Sequence, residues 1–244
     1  RQVHFMRGTG CWTCGLSLPG YLDASEQVIC DSCLSLGPPW RRGVAALAYD
    51  ETGRSLVLAL KHGDRHDIVR PAADWMAQAS RVLVQPNMLV APVPLHWTRL
   101  FRRRYNQAAL LSAALAKRLD LSHCADLLIR SSRTQSLEGC STDQRFTIVG
   151  SAMTRNPRYQ HRWLDRPILL VDDVMTSGAT LTAATKALQK SGNYDVYTSV
   201  LARVQKQIKH FEKIVYERFN YMHPIEIYTS STCGYCFAAK RLLN

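Results

Sequence analysis

Along the chain, runs of apolar residues alternate with stretches whose apolar positions recur at helical spacing. Met88–Pro94 is apolar on both faces, the mark of a strand buried between two layers, and Pro167–Val174 and Val196–Val204 repeat the pattern. Between these runs, Gln107–Leu119 reads as a long helix. Ile68 to about Val84 places Ala72, Trp75, Met76 and Ala79 on one helical face, and a further helix spans about Ala179–Ser191. Gly43–Leu60 reads as two short strands around a turn at Asp50–Gly53. Strands alternating with helices of ten or more residues predict an α/β fold with a parallel sheet and crossover helices.

The intervening segments differ in character. Residues 8–40 carry Cys, Gly and Pro with little periodicity, and residues 41–204 hold the strand–helix alternation. His96–Tyr105 is a basic loop, and Ser131–Phe146 is polar and irregular, which predicts a mobile loop. Residues 205–221 form a charged, helix-prone linker, after which 222–244 restarts as a short strand and helix.

Composition narrows the setting. The hydrophobic fraction of 46% is ordinary for a globular protein. The longest apolar runs, such as Ile168–Val171 and Ala108–Leu111, fall far short of a membrane span. Arg1–Gly10 is basic but is followed by no apolar signal core, so a cytoplasmic location is expected. The first residue is not Met, which suggests that the chain starts inside a longer reading frame. A net charge of +12 favours anionic partners, and phosphorylated small molecules and nucleic acid both qualify.

The densest chemistry lies in Ile168-Leu169-Leu170-Val171-Asp172-Asp173-Val174-Met175-Thr176-Ser177-Gly178-Ala179-Thr180. An apolar strand ends in two carboxylates, a small hydroxyl-rich loop follows, and a helix begins. Ligands of open α/β sheets bind at that edge. A helix N-terminus with nearby hydroxyls favours a phosphate, and a glycine permits close backbone approach. Adjacent carboxylates can accept hydrogen bonds from a vicinal diol, so one loop could hold a sugar phosphate by both ends. Singly, an Asp pair also occurs in phospho-acceptor and magnesium sites, and Thr-Ser-Gly is a common turn. Together, the thirteen positions resemble the phosphoribosyl-diphosphate signature of type I phosphoribosyltransferases. The resemblance implies a type I phosphoribosyltransferase-like sheet. In it Asp172 and Asp173, the catalytic candidates, contact the ribose hydroxyls. Thr176, Ser177, Gly178, Ala179 and Thr180 bind the 5′-phosphate, and magnesium accompanies the phosphoribosyl diphosphate.

Arg99, Arg102, Arg103 and Arg104 follow the strand that ends at Pro94 and offer a second anion site. The segment from Pro92-Val93-Pro94-Leu95 through Arg104-Tyr105-Asn106-Gln107 resembles the ComF/GntX family of bacterial DNA uptake and utilisation. Leu60-Lys61-His62-Gly63-Asp64 resembles that family's strand-ending lysine motif, which adds Lys61 to the ligand-binding candidates. Arg133-Thr134 and Arg145-Phe146 agree more loosely.

Of eight cysteines, Cys11, Cys14, Cys30 and Cys33 form two C-x-x-C pairs separated by fifteen residues. That spacing is the zinc-ribbon pattern, and four thiolates make a closed, structural site with no position for water. Disulfides are the alternative, disfavoured in a reducing cytosol. ComF-like proteins carry such a ribbon before the transferase-like domain. Cys124 reads as a small buried residue and Cys140 as an incidental loop thiol. Cys233-Gly234-Tyr235-Cys236, with Ile225–Thr229 before it and Ala239–Leu243 after it, resembles the start of a glutaredoxin, of which the remainder is missing. A fusion of adjacent reading frames joined at Met222 and then cut short, and a truncated two-domain chain, both account for that fragment.

Two functional readings stay open. In one, the protein is a phosphoribosyltransferase in which diphosphate leaves through an oxocarbenium-like state. In the other, the same sites bind single-stranded DNA as an accessory of the DNA-uptake machinery, without turnover, and Trp97, Phe101 and Tyr105 are available for stacking.

Overall fold

The computed structural model describes residues 2–6, 10–18, 27–62, 65–95, 105–130, 153–159, 165–192 and 194–205. Its elements run α1 (Asp31–Leu36), β1 (Arg42–Ala48), α2 (Glu51–His62), α3 (Val69–Ser80), β2 (Leu89–Pro92), α4 (Gln107–Leu119), β3 (Ser122–His123), β4 (Leu128–Arg130), β5 (Met153–Arg155), β6 (Ile168–Met175), α5 (Ala179–Gln189) and β7 (Val196–Arg203). Five strands form one sheet in the order β1-β7-β6-β2-β3, with every neighbouring pair parallel. The expected α/β class and parallel sheet are therefore found.

A parallel sheet must bury both faces, because crossover connections lay helices over each. On one face Leu169, Val171, Val90 and Leu201 pack with Leu47, with Val57 and Leu60 of α2, with Met76 of α3, and with Leu111 and Leu115 of α4. On the other, Ile168 and Leu170 pack with Leu181 and Leu188 of α5, with Leu128 and Met153, and with the four N-terminal cysteines and Trp40. Leu128 and Met153 belong to β4 and β5, which form a separate antiparallel pair.

The face expected of the helix after Ile68 is present. Ala72, Ala73, Met76 and Ala77 are buried, with Trp75 and Ala79 half-buried beside them. The helix at Gln107–Leu119 keeps its expected bounds. Its start is set by Asn106, whose side chain accepts from the Ala108 N–H at 3.1 Å and donates to the Val93 carbonyl at the same distance.

Gly43–Leu60 departs from expectation. Only its first part is a strand; Glu51–His62 is a helix. The supposed turn is that helix's N-terminus, where Asp50 Oδ1 accepts from the Gly53 N–H at 2.8 Å. Val57 and Leu60, three apart, turn inward and are fully buried, which a strand would have split between two faces. Lys61 consequently ends a helix and not a strand.

The cysteine-bearing segment packs directly on β1. The Gly43 N–H donates to the Trp12 carbonyl at 3.2 Å. Gly15 has φ +67°, and a methyl there would sit 2.6 Å from the Ala45 nitrogen, so only glycine allows this approach. Residues 2–6 run along the same strand, with the Met6 N–H donating to Ala46 and the Ala48 N–H to His4.

Among the described residues, no helix is long and apolar enough to cross a membrane. The arginine loop (Arg99, Arg102, Arg103, Arg104), the Ser131–Phe146 segment, Cys140, residues 206–221 of the linker and the whole of 222–244 lie outside the described residues.

Candidate functional site

The chain changes direction across the sheet between β2 and β6. After β2 it passes through α4 to β3 on one side, and after β6 it passes through α5 to β7 on the other. Flanking crossovers therefore diverge at this point, opening a crevice beyond the carboxyl ends of β2 and β6. One of the segments read from the sequence as anion-binding emerges there, and the other follows β2 in the chain. The loop after β6 holds Thr176–Gly178, and the chain after β2 leads into the arginine segment.

The β6 loop is built for close approach. Thr176 and Ser177 are exposed, and Gly178 takes φ +81°, a left-handed conformation that costs glycine nothing. Ala179 then starts α5, with its N–H 3.4 Å from Ser177 Oγ. The first turn of such a helix leaves N–H groups without intrahelical partners, pointing where an anion is favoured.

Behind the loop, Asp172 and Asp173 are successive strand residues, whose side chains leave opposite faces. Asp173 is buried and pairs with Lys61 of α2, Nζ to Oδ2 at 3.0 Å. Asp172 is half-buried, and its Oδ1 accepts from the Asp173 N–H at 2.8 Å. Burial first, then the charge of Asp173, pushes the Asp172 carboxyl up to about 8. Lys61 thus joins the carboxylates, although from a helix.

The four N-terminal cysteines form the second centre. All are buried, and their sulfurs lie within 4.8 Å of one another. A tetrahedral zinc with sulfurs at about 2.3 Å would space them about 3.8 Å apart. Cys14 and Cys30 already stand at 3.8 Å. The Cys30 N–H points to Cys11 Sγ at 3.3 Å, as backbone groups around thiolates do. Hydrogen bonding from Cys14, then from Cys30 and Cys33, holds Cys11 far below the ordinary thiol range. The donor set and spacing fit a metal ion that prefers sulfur. Cys124 is buried, as expected of a small core residue.

Sequence reasoning passed over two side chains that touch both centres, Trp40 and Arg203. An aromatic after a Pro pair and an arginine closing an apolar strand look alike in countless chains, so no local signal marks them. Only packing against the β6 loop does.

No family model matches the chain. Competence protein F of Haemophilus influenzae is 31% identical over 79% of this chain and 84% of its own length. The DNA utilization protein YhgH of Salmonella typhimurium is 30% identical over 79% of this chain and 83% of its own. Among solved structures, adenine phosphoribosyltransferase of Trypanosoma brucei, in complex with AMP, pyrophosphate and ribose-5-phosphate, aligns with a TM-score of 0.36. It is 14% identical over 74% of this chain and 78% of its own.

The state of Asp172 is testable without any ligand. A carboxyl whose pKa lies near 8 in the folded chain and near 4 in the unfolded chain binds its proton more tightly when folded. Its stabilising contribution is complete below about pH 4 and is lost as pH rises toward 8. Thermal melts from pH 4 to 8 should therefore show Asp172→Asn gaining on the parent as pH rises. Parallel pH profiles would refute the perturbed carboxyl.

Proposed function

The chain belongs to the ComF/GntX family, and from that premise we propose that it binds magnesium phosphoribosyl diphosphate, or a similar sugar phosphate, in the service of DNA uptake or utilisation. The observation that carries this reading is the strand–carboxylate–loop–helix unit at the point where the sheet's connections diverge. In it, Asp172 and Asp173 accept hydrogen bonds from the ribose diol. Thr176, Ser177 and the first turn of α5 hold the 5′-phosphate. Lys61 pairs with the buried Asp173 carboxylate and fixes its orientation, and it brings positive charge to the edge that receives an anion. The names of the relatives, competence protein F and DNA utilization protein, support the biological setting.

A site of this kind suits displacement of diphosphate at the anomeric carbon, because positioning and charge stabilisation are what that reaction needs. Magnesium, carried in on the diphosphate, would neutralise the leaving group. We further assign zinc to Cys11, Cys14, Cys30 and Cys33, in a closed structural role.

The net charge of +12, together with the relatives' names, also supports contact with single-stranded DNA. In that second reading Arg102, Arg103 and Arg104 track a phosphate backbone.

Three measurements test these statements. Above pH 8, where Asp172 is ionised, Asp172→Asn should weaken phosphoribosyl-diphosphate binding by about 1.5–3 kcal/mol in calorimetry, the value of a charge-assisted hydrogen bond, while leaving the fold intact. Unchanged affinity removes the ribose assignment. Elemental analysis of anaerobically purified protein should find one zinc per chain, lost in Cys14→Ser; metal-free parent protein removes the zinc assignment. Replacing Arg102, Arg103 and Arg104 together by Ala should flatten the dependence of log DNA affinity on log salt by roughly 0.7 per lost phosphate contact. Identical slopes confine those arginines to the small ligand.

A further inference from the structure

The cysteine knuckle and the β6 loop lie far apart in sequence yet share two side chains. Arg203, the last residue of β7, is 7% exposed. Its Nη1 donates to the carbonyls of Met175 at 3.1 Å, of Val204 at 3.0 Å and of Thr176, while its Nη2 points at Cys14 Sγ from 3.9 Å. Trp40 is 5% exposed, and its indole N–H donates at 2.6 Å to the carbonyl of Thr13, inside the Cys11–Cys14 pair. The far edge of the same ring backs the loop, since a methyl on Gly178 would come within 3.2 Å of Trp40 Cη2. One knuckle therefore holds two struts. Arg203 meets the loop where it leaves β6, and Trp40 meets it where it enters α5.

We infer that Arg203 and Trp40 are positioning residues that tie the cysteine knuckle to both ends of the Thr176–Gly178 loop, so that metal binding by the cysteines and sugar-phosphate binding by the loop are thermodynamically linked. The inference rests on the reading of Thr176–Thr180 as the phosphate site. With the metal bound, Thr13 and Cys14 are fixed anchors, and Arg203 acts as the hydrogen-bonding neighbour that orients a thiolate. With the metal gone, the four sulfurs lose the ion that holds them together, and the knuckle's shape loosens where it depended on those bonds. The Thr13 carbonyl then no longer fixes the indole, and the guanidinium loses one of the partners that aim it at Met175 and Thr176. The loop's N–H groups must be preorganised to bind a phosphate tightly, so their loosening weakens the ligand. Linkage is reciprocal, which means that the ligand must equally strengthen retention of the metal.

The reciprocal direction gives the cleaner experiment. Zinc-loaded full-length chain is mixed with a chromogenic zinc chelator, with and without saturating magnesium phosphoribosyl diphosphate, and the rate of zinc release is followed. The ligand should slow release about fivefold or more, the usual scale of coupling between sites. In Arg203→Met, and independently in Trp40→Phe, which keeps an aromatic ring but removes both the indole N–H and the Cη2 edge that backs Gly178, that ratio should fall toward one. A merely structural role would change the basal release rate and leave the ratio alone, so a ratio preserved in both variants overturns the inference. A parent protein that binds the ligand in calorimetry but releases zinc at the same rate with and without it overturns the inference too. A parent protein that does not bind the ligand at all overturns instead the reading of the loop as a phosphate site.

Discussion

Everything at the candidate site depends on the pairing of β6 with β2 on one side and β7 on the other, all parallel. Parallel pairing aligns the carboxyl ends of the three strands at one edge of the sheet. Connections leave β2 and β6 toward opposite sides, so the crevice there is a consequence of topology. The register is secured by burial on both faces. Leu169 and Val171 face α2, α3 and α4, while Ile168 and Leu170 face α5 and the cysteine segment. A slip of one residue would exchange these sets and turn Asp173 away from Lys61.

The same edge carries an electrostatic cost. Two successive carboxylates at the end of a buried strand repel one another and lose water. The structure compensates only one of them, pairing Asp173 with Lys61. Asp172 has the Asp173 N–H and little else, and its raised pKa records the deficit.

The cysteine segment is better understood as part of the core than as an appendage. Its four cysteines and Trp40 bury themselves with Ile168, Leu170 and Met175. It also lies against β1 closely enough that Gly15 admits no side chain. Trp40 and Arg203 connect that segment to the loop after β6 by hydrogen bonds and packing.

How much the sequence determined differs from one element to the next. The buried strands at Met88–Pro94, Pro167–Val174 and Val196–Val204, the helix at Gln107–Leu119, the cysteine pairs and the carboxylate–loop motif were legible because each is specified by residues close together in the chain. The helix Glu51–His62 was not. An Asp side chain accepting an N–H three residues on serves a turn and a helix start equally well, and a short apolar run fits either periodicity. Packing against β7, with Val57 and Leu60 in the core, resolved it. Tertiary structure alone decided that Asp173 meets Lys61, that Asp172 is left with a raised pKa, and that Trp40 and Arg203 bridge two centres remote in sequence. Those are contacts between segments brought together only by sheet order and burial, and no local pattern of polarity encodes which distant side chain will fill a given space.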